Sequence, residues 1–457
     1  MAVWSKTSVI EITDNRRIDS EFFHPEYITT ENLINQFEHL ETLGKLGKFK
    51  IGPFGSAFHV SNYEPNSKYR YVRGKDVKPF SLQDDDNVYM PEKDYNRLIR
   101  YALQKDDLLI SVVGTLGNVA IVPEGVEGIF SCKSTVFRES KVDPYYLLAY
   151  FNSKYGRLCL LRRQRGAIQM GLNKEDLKTV PVPLIDEELQ TSIGEKIKRS
   201  LHLANHSKSL YTQATQMLED ALGLNNIEFK KEKSYTAYAS EVASTRRMNA
   251  EYFSPTVKAI LAQYFLKDSP TLGIIFQIIR GTTPREYLNS GVPVLKTKNV
   301  RVPEIDKERI VDFVTSTKDL TEIRNEDLLL ASMGVGSLGR MSYISNLEQS
   351  YVVDGTIRVL RPKPNTPKNF QIPTLLFLSS NVGQELIYRG IVGSTGIISL
   401  PDDYLKKIPI PIFSPELCDQ LTQMVSASIE AKRESKRLLE QAKKEVETLI
   451  EQAAQTA

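Results

Sequence analysis

The chain is 457 residues long, 41% hydrophobic and 25% charged, the balance of a folded globular protein and too much sequence for one ordinary core. Lys and Arg number 59 against 56 Asp and Glu, a formal charge of +3, which permits an acidic partner and demands none. No segment approaches the roughly 18 uninterrupted apolar residues of a membrane span, nor does the start carry an apolar run of signal-peptide length, so a cytoplasmic protein with no membrane contact is expected.

In chain order, the first distinctive stretch is Arg16-Arg17-Ile18-Asp19-Ser20-Glu21-Phe22-Phe23-His24-Pro25. It recurs in nearly every chemical class as Arg246-Arg247-Met248-Asn249-Ala250-Glu251-Tyr252-Phe253-Ser254-Pro255. Matches continue in the same order: Leu43-Gly44 with Leu272-Gly273, Ile51-Gly52 with Arg280-Gly281, Tyr71 to Val77 with Val294 to Val300, and Asp106-Asp107-Leu108-Leu109 with Glu326-Asp327-Leu328-Leu329. Glycine-bearing turns follow, Val113 to Asn118 and Met333 to Arg340, and each series closes on Val180-Pro181-Val182-Pro183 or Ile408-Pro409-Ile410-Pro411. Ordered matches about 220 to 230 residues apart describe two divergent copies of one unit, roughly 16–222 and 246–454.

Within the first copy, short strands are predicted at 69–72, 107–113, 118–122 and 134–138, separated by turns where glycine supplies backbone angles that other residues avoid. Segments 144–152 and 154–162 read as a helix pair, repeated at 373–379 and 382–389. Each copy is therefore expected to be α+β, a curled sheet with helices attached. From Leu189 to Leu222 the period changes: Ile197, Leu201, Ala204, Lys208, Tyr211, Thr215, Leu218 and Leu222 follow a 4-3 spacing, widened by Leu203, Leu210 and Met217. Leu421, Met424, Ser428, Ala431, Ser435, Leu438, Ala442 and Leu449 form a similar stripe. Helices of about 30 to 35 residues, roughly 45 to 52 Å long, with stripes of this kind need a partner surface. The expectation is that the two pack on each other as an antiparallel coiled coil, with Ala431, Ser435 and Ala442 allowing close approach, in a pseudo-twofold or circular arrangement of two α+β domains. A polar segment, 225–244, containing Lys230-Lys231-Glu232-Lys233, links the copies.

No catalytic constellation is visible. The glycine turns end in Asn118 and Arg340 instead of the Lys-Ser/Thr of a phosphate-binding loop, and they run into apolar strands, so they read as tight turns. His202 and His206 share a helix face without further ligands at useful spacing, and His24, His39 and His59 have no counterpart in the second copy. Asp106-Asp107 and Glu326-Asp327 each precede a strand, where a turn takes polar residues. Cys132, Cys159 and Cys418 stand far apart and read as structural thiols. The Asn/Asp-Pro-Pro-aromatic motif of amino-methyltransferases and a Pro-Asp with Glu-x-Lys nuclease pattern are both missing. The chain reads as a recognition device, with no catalytic, cofactor-binding or metal-binding residue of its own.

Three matched groups are candidates for contact with a polyanion, double-stranded DNA above all. Arg157 to Gly166 holds Arg162, Arg163 and Arg165 and no acid, and is followed by Gln169, a side chain able to pair bidentately with adenine. Arg389, Ser394 and Thr395 occupy the comparable place in the second copy. Arg70, Arg73 and Lys75 match Lys296, Lys298, Asn299 and Arg301, which suit the phosphate backbone or guanine edges. Lys50 and Ser56 match Arg280, Thr283 and Arg285 in a polar Gly/Pro-bearing loop, and Arg340 closes the second glycine turn.

The arrangement resembles the specificity subunit of type I restriction-modification enzymes, from Arg16 to about Ala454. The resemblance rests on the duplicated Arg-(Ile/Met)-(Asp/Asn)-(Ser/Ala)-Glu-(Phe/Tyr)-Phe-x-Pro entry, on Asp-Leu-Leu before a glycine turn, and on (Val/Ile)-Pro-(Val/Ile)-Pro before a long helix. It implies two target recognition domains, 43–185 and 272–411, the second lying within a repeat spanning 246–412. It further implies a central spacer helix with its linker at 186–245, a distal spacer helix at 413–457, and an N-terminal segment, 1–42, packing near the end of the distal helix. In that family each domain reads one half of an asymmetric two-part DNA sequence. Two DNA adenine methyltransferase subunits dock on the helices with S-adenosylmethionine, and a motor-nuclease subunit supplies ATP- and Mg-dependent cleavage. The family has no universal base-reading residues to carry over. A specificity subunit serving a methyltransferase-nuclease fusion of another restriction class, and a two-headed protein-binding scaffold, remain as alternative readings.

Overall fold

The computed structural model describes residues 3–166, 168–227, 229, 234–265, 269–393 and 398–456. The chain forms two compact α+β units, Met1–Ala204 with Arg433–Ala457, and Asn205–Lys432. Lys230-Lys231-Glu232-Lys233 of the expected linker lies outside the described residues.

The first unit is built on a four-stranded antiparallel sheet in the order Lys48–Ile51, Ser134–Arg138, Leu108–Ser111, Val119–Ile121. Its inner strand Leu108–Ser111 is buried along its whole length, as four consecutive apolar and small residues require. A second, mixed sheet pairs Tyr69–Val72 antiparallel with Tyr89–Met90 and parallel with Gly128–Phe130. Helix Pro144–Asn152 starts where Asp143 accepts hydrogen bonds from the Tyr145 and Tyr146 amides and Pro144 presets the first turn. Ser153 ends it and caps the next helix, Lys154–Arg162. The tight corner between them needs Gly156, because a Cβ there would stand 2.1 Å from the Tyr150 carbonyl oxygen. From this helix the buried Tyr146 and Tyr150 hydroxyls donate to the Pro183 and Pro181 carbonyls, both at 2.7 Å. They hold the Pro181–Pro183 strand, whose proline nitrogens cannot donate, beside Leu40–Thr42.

The second unit has the same strand order, Phe276–Arg280, Ile357–Pro362, Leu328–Ala331, Met341–Tyr343. Its mixed sheet joins Val292–Leu295 to Phe313–Val314 and, in parallel, to Val352–Val353. Helices Gln371–Ser379 and Asn381–Arg389 turn at Ser380 in the same way, with Gly383 against the Phe377 carbonyl.

Two features repeated in sequence acquire structural roles. Asp107 and Arg138 sit opposite each other at the ends of adjacent strands and pair at 2.6 Å, with both side chains nearly buried. Asp327 and Arg361 do the same at 2.7 Å. Their neighbours Asp106 and Glu326 take the left-handed conformation, φ 64° and 72°, that turns the chain into the strand. The repeated decapeptide is a clamp: the Arg17 guanidinium covers the Phe22 ring at 4.4 Å and donates to the Gln164 carbonyl at 2.7 Å, beyond the end of helix Lys154–Arg162. Arg247 covers Tyr252 at 5.0 Å and donates to the Gly390 carbonyl at 3.1 Å, beyond the end of Asn381–Arg389.

The two long helices are Glu187–Leu222 and Pro415–Thr456. In the first unit Ser200 donates to the Ser435 carbonyl at 2.8 Å and Lys196 pairs with Glu445 at 3.0 Å, so the two segments run antiparallel there. In the second unit Ser207 and Ser428 each donate to the other's carbonyl at 2.7 Å, and Ala214 and Leu218 join a core with Leu421, Val425 and Ile429. The expected stripe is corrected by one residue at alternate positions: Ser200, Ser207 and Ala214 are buried where Leu201, Lys208 and Thr215 were expected, and Lys208 is exposed. Serines serve because their hydroxyls are satisfied across the seam while their small size lets the backbones approach.

Asp107→Asn is expected to cost about 3 to 5 kcal/mol by leaving Arg138 buried without its countercharge, with Asp327→Asn doing the same in the second unit. Urea unfolding of each variant measures it.

Candidate nucleic-acid interface

In the first unit, strand Lys48–Ile51 ends opposite the start of Ser134–Arg138, and Ser111 ends its strand opposite Ser134. The connections after these strand ends therefore emerge along one edge of the sheet. Gly52 lies so close to Ser131 that a Cβ would meet its carbonyl oxygen at 2.4 Å, and Gly74 packs on the Lys133 side chain. The Val112 amide donates to the Lys133 carbonyl at 2.9 Å, while Val113 bridges to Gly171, which closes the loop from Arg165. This edge thus joins the loop after Ile51, the turn at 131–133, the glycine turn after Ser111 and the loop 165–171.

The second unit builds its edge by the same contacts. Gly281 packs on the Asp354 carbonyl, and the Gly281 amide donates to the Ile357 carbonyl at 3.0 Å. Met333 bridges to Ser399, and Thr283 Oγ1 accepts from the Gly355 amide at 3.2 Å.

The sequence-derived candidates divide into those at these edges and those used inside the fold. Arg163 is 5% exposed and forms a two-pronged pair with Glu31 at 2.6 and 2.7 Å. Arg162 also binds Glu31, donates to the Phe22 carbonyl and covers the Phe22 ring at 4.3 Å. These two arginines fasten the N-terminal helix Pro25–Ile34 to the fold. Helix Lys154–Arg162 also meets the distal helix, where Tyr155 donates to Glu451 at 2.7 Å. Arg70 is 9% exposed and donates to the Gln83 carbonyl. Arg73 binds Asp76 at 2.8 to 3.2 Å through its amide and guanidinium. Asn299 is wholly buried, accepting from the Lys296 amide at 2.9 Å, and Arg389 donates to the Tyr252 carbonyl at 2.9 Å. In the structure each of these polar heads is held by a partner distant in sequence or by a local turn.

The remainder face solvent to differing degrees. Lys75 is exposed but pairs with Asp86 at 2.8 Å, and Arg165 pairs with Asp176 at 2.5 Å. Lys50 is half-buried; burial first, then the Arg138 and Arg100 charges, push its pKa down against the pull of Asp107. Ser56 and Gln169 are exposed on the first edge, and Arg280, Thr283, Arg285 and Arg340 on the second. The backbone of Arg301 is lashed to Ser342, its amide donating to the hydroxyl at 2.8 Å, which places it beside Arg340. Burial, then the Arg340 and Arg309 charges, lower the Arg301 pKa. Lys296 lies 3.9 Å over the Tyr287 ring and pairs with Asp312 at 3.0 Å; burial opposes its charge, but Asp312, Tyr287 and Asp354 outweigh it and raise the pKa. Lys298 reaches the same Asp312 at 3.5 Å. Ser394 and Thr395 lie outside the described residues. The sequence reading passed over Lys133, which is exposed at the centre of the first edge; its only signal was its place just before a strand.

Among the described residues no cluster of His, Cys, Asp and Glu is arranged to hold a metal, and no helix is long and apolar enough to cross a membrane. Cys132, Cys159 and Cys418 are free thiols, the last two buried.

Residues 42–209, comprising the first edge and its supporting helices, match the family model for the type I restriction modification DNA specificity domain. Over that segment, a little over a third of the chain, the protein is similar to the DNA specificity domain of type I restriction-modification systems. No curated protein sequence matches it. Among solved structures it is similar to a type I restriction-modification S subunit from M. genitalium, with 15% identity over 91% of this chain and 95% of that one and a TM-score of 0.49. It is also similar to a chain from a study of type I R-M complex assembly and conformational transition, with 14% identity, coverage of 91% and 97%, and a TM-score of 0.33. The HsdS subunit from Thermoanaerobacter tengcongensis gives 15% identity, coverage of 91% and 96%, and a TM-score of 0.28. At such scores the superpositions carry no argument, and the sequence match of 42–209 stands by itself.

Two predictions distinguish the arginines held inside the fold from those exposed at the edges. Burial works to raise the Glu31 pKa, but Arg163 and Arg162 outweigh it and hold the carboxyl below its ordinary value of 4.5. The stability this pair contributes is present above the unfolded-state pKa and is lost as pH falls through the lower folded-state value. Glu31→Gln should therefore cost about 3 kcal/mol at neutral pH, a difference in urea midpoint that shrinks on acidification below the ordinary carboxylate range. Arg285→Ala and Arg340→Ala should change stability by no more than about 0.5 kcal/mol. Each should flatten the salt dependence of DNA binding by about one unit of slope, measured with the assembled complex on duplex DNA.

Proposed function

We propose that the strand-end edge of each unit reads one half of an asymmetric, two-part DNA sequence, while the paired long helices space the halves and receive DNA adenine methyltransferase subunits. The chain is the DNA-recognition component, and methyl transfer and cleavage, with S-adenosylmethionine, ATP and Mg, belong to its partners. The observation that carries this reading is the recurrence of one scaffold with unlike edge side chains. The strand order, Gly52 and Gly281, and the buried Asp–Arg pairs repeat. Gln169 and Lys133 stand on one edge, Arg280, Arg285 and Arg340 on the other. A shared frame with different exposed groups suits two unlike half-sites, because phosphate contacts position a reader while base-edge contacts specify the sequence.

The test is to purify the chain with its cognate methyltransferase subunit, incubate the complex with a random-sequence duplex library and map the methylated adenines. One asymmetric two-part motif is expected, and replacing residues 43–183 with the matching segment of another specificity subunit should change one half only. Methylation by an active complex without such a motif would remove the proposal and favour a protein-binding scaffold.

A further inference from the structure

The most exposed aromatic side chain at either edge is Phe54, 84% exposed. Single exposed apolar residues are ordinary on protein surfaces, but the way this one is held is not. On its N-terminal side Gly52 is packed against the Ser131 carbonyl and Pro53 is buried. On its C-terminal side the Phe54 carbonyl accepts from the Ala57 amide at 2.8 Å, and Arg97 donates to the Ala57 carbonyl at 2.7 Å. Phe58 then enters an aromatic cluster, 4.9 Å from Tyr71. Both feet of the loop are anchored, and its tip presents a ring to solvent in extended backbone, φ −55° and ψ 149°.

The surroundings state what such a ring would meet. Gly52 contacts Ser131 and Cys132, so the loop stands beside Lys133, which is exposed and has no ion-pair partner among the described residues. Gly74 packs on Lys133, and Lys75 next to it is balanced by Asp86, whereas Lys133 has no such countercharge among the described residues. An anchored aromatic beside a free cation suits a polyanion whose apolar parts lie just inside its charged rim. DNA is such a partner: phosphate is available to the lysine, and a thymine methyl or an opened base step to the ring. The matched loop of the second unit, Thr282-Thr283-Pro284-Arg285, has no aromatic residue.

We infer that Phe54 is a specificity-determining residue of the first unit, making an apolar contact with a base in that unit's half-site. This inference rests on the reading of the edges as DNA-facing. A rigid loop loses little entropy on binding, so the contact discriminates between bases instead of merely adding area.

The experiment compares the wild-type complex with Phe54→Ala and Phe54→Tyr, each assembled with the methyltransferase subunit, by mapping methylated adenines in the random-sequence library. The expected result is that Phe54→Ala loses preference by about fivefold or more at one position or one adjacent step of a single half-site. The other half-site should be unaltered and the melting temperature unchanged, and Phe54→Tyr should restore the preference. Uracil in place of thymine at that position then distinguishes the two contacts: loss of preference in the wild type identifies the methyl group, and retention identifies the opened step. An unaltered motif and rate in Phe54→Ala overturns the inference alone. A wild-type complex that methylates without a two-part motif overturns the DNA-facing reading and the inference together.

Discussion

The register of each four-stranded sheet depends on a buried ion pair across adjacent strands, Asp107 with Arg138 and Asp327 with Arg361. A slip of one residue would leave a carboxylate and a guanidinium buried apart, an error far more costly than the pair itself is favourable. Everything at the opposite end of the sheet follows from that register. It sets Ile51 against Thr135 and Ser111 against Ser134, so that the loops beyond them share one edge. The same holds for Arg280, Arg358 and Ala331 in the second unit. The ion pairs and the edges occupy different ends of the same strands, which leaves the edge loops free to differ while the frame stays constant.

The arginine-rich stretch 157–165 shows how charge counted along a chain misleads. Four arginines without an acid read as a polyanion site, yet Arg163 and Arg162 share Glu31, about 130 residues away in sequence, and Arg165 is held by Asp176. A guanidinium is equally able to grip a carboxylate inside a fold and a phosphate outside it. Burial and the long-range partner decide between the two, and neither is local. The cations remaining at the edges are fewer, and in the second unit burial and then the Arg340 and Arg309 charges hold the Arg301 pKa down against the pull of Asp306.

The repeated decapeptide and the glycines were legible as repeats but not as devices. Arg17 and Arg247 each span from a turn to the end of a helix about 140 residues on, a connection that no periodicity encodes. Gly52 and Gly281 are glycine because a neighbouring backbone passes where a side chain would stand, not because of their own torsion angles. The long-helix stripes erred for a related reason. Hydrophobic spacing favours Leu201 over Ser200, whereas the packed seam prefers a small hydroxyl that can donate across it.

The repeated order of motifs, the α+β class, the helix pair 144–162 and the two long helices are legible along the chain, because they depend on local spacing, capping and turn chemistry. The sequence also carried the family resemblance, which the match of 42–209 supports. Which cations are paired inside and which are exposed, which face of each long helix is buried, and that Phe54 projects from an anchored loop beside Lys133 were settled by the folded arrangement alone. Those outcomes turn on contacts between residues far apart in the chain, where burial and the nearest countercharge set a side chain's role.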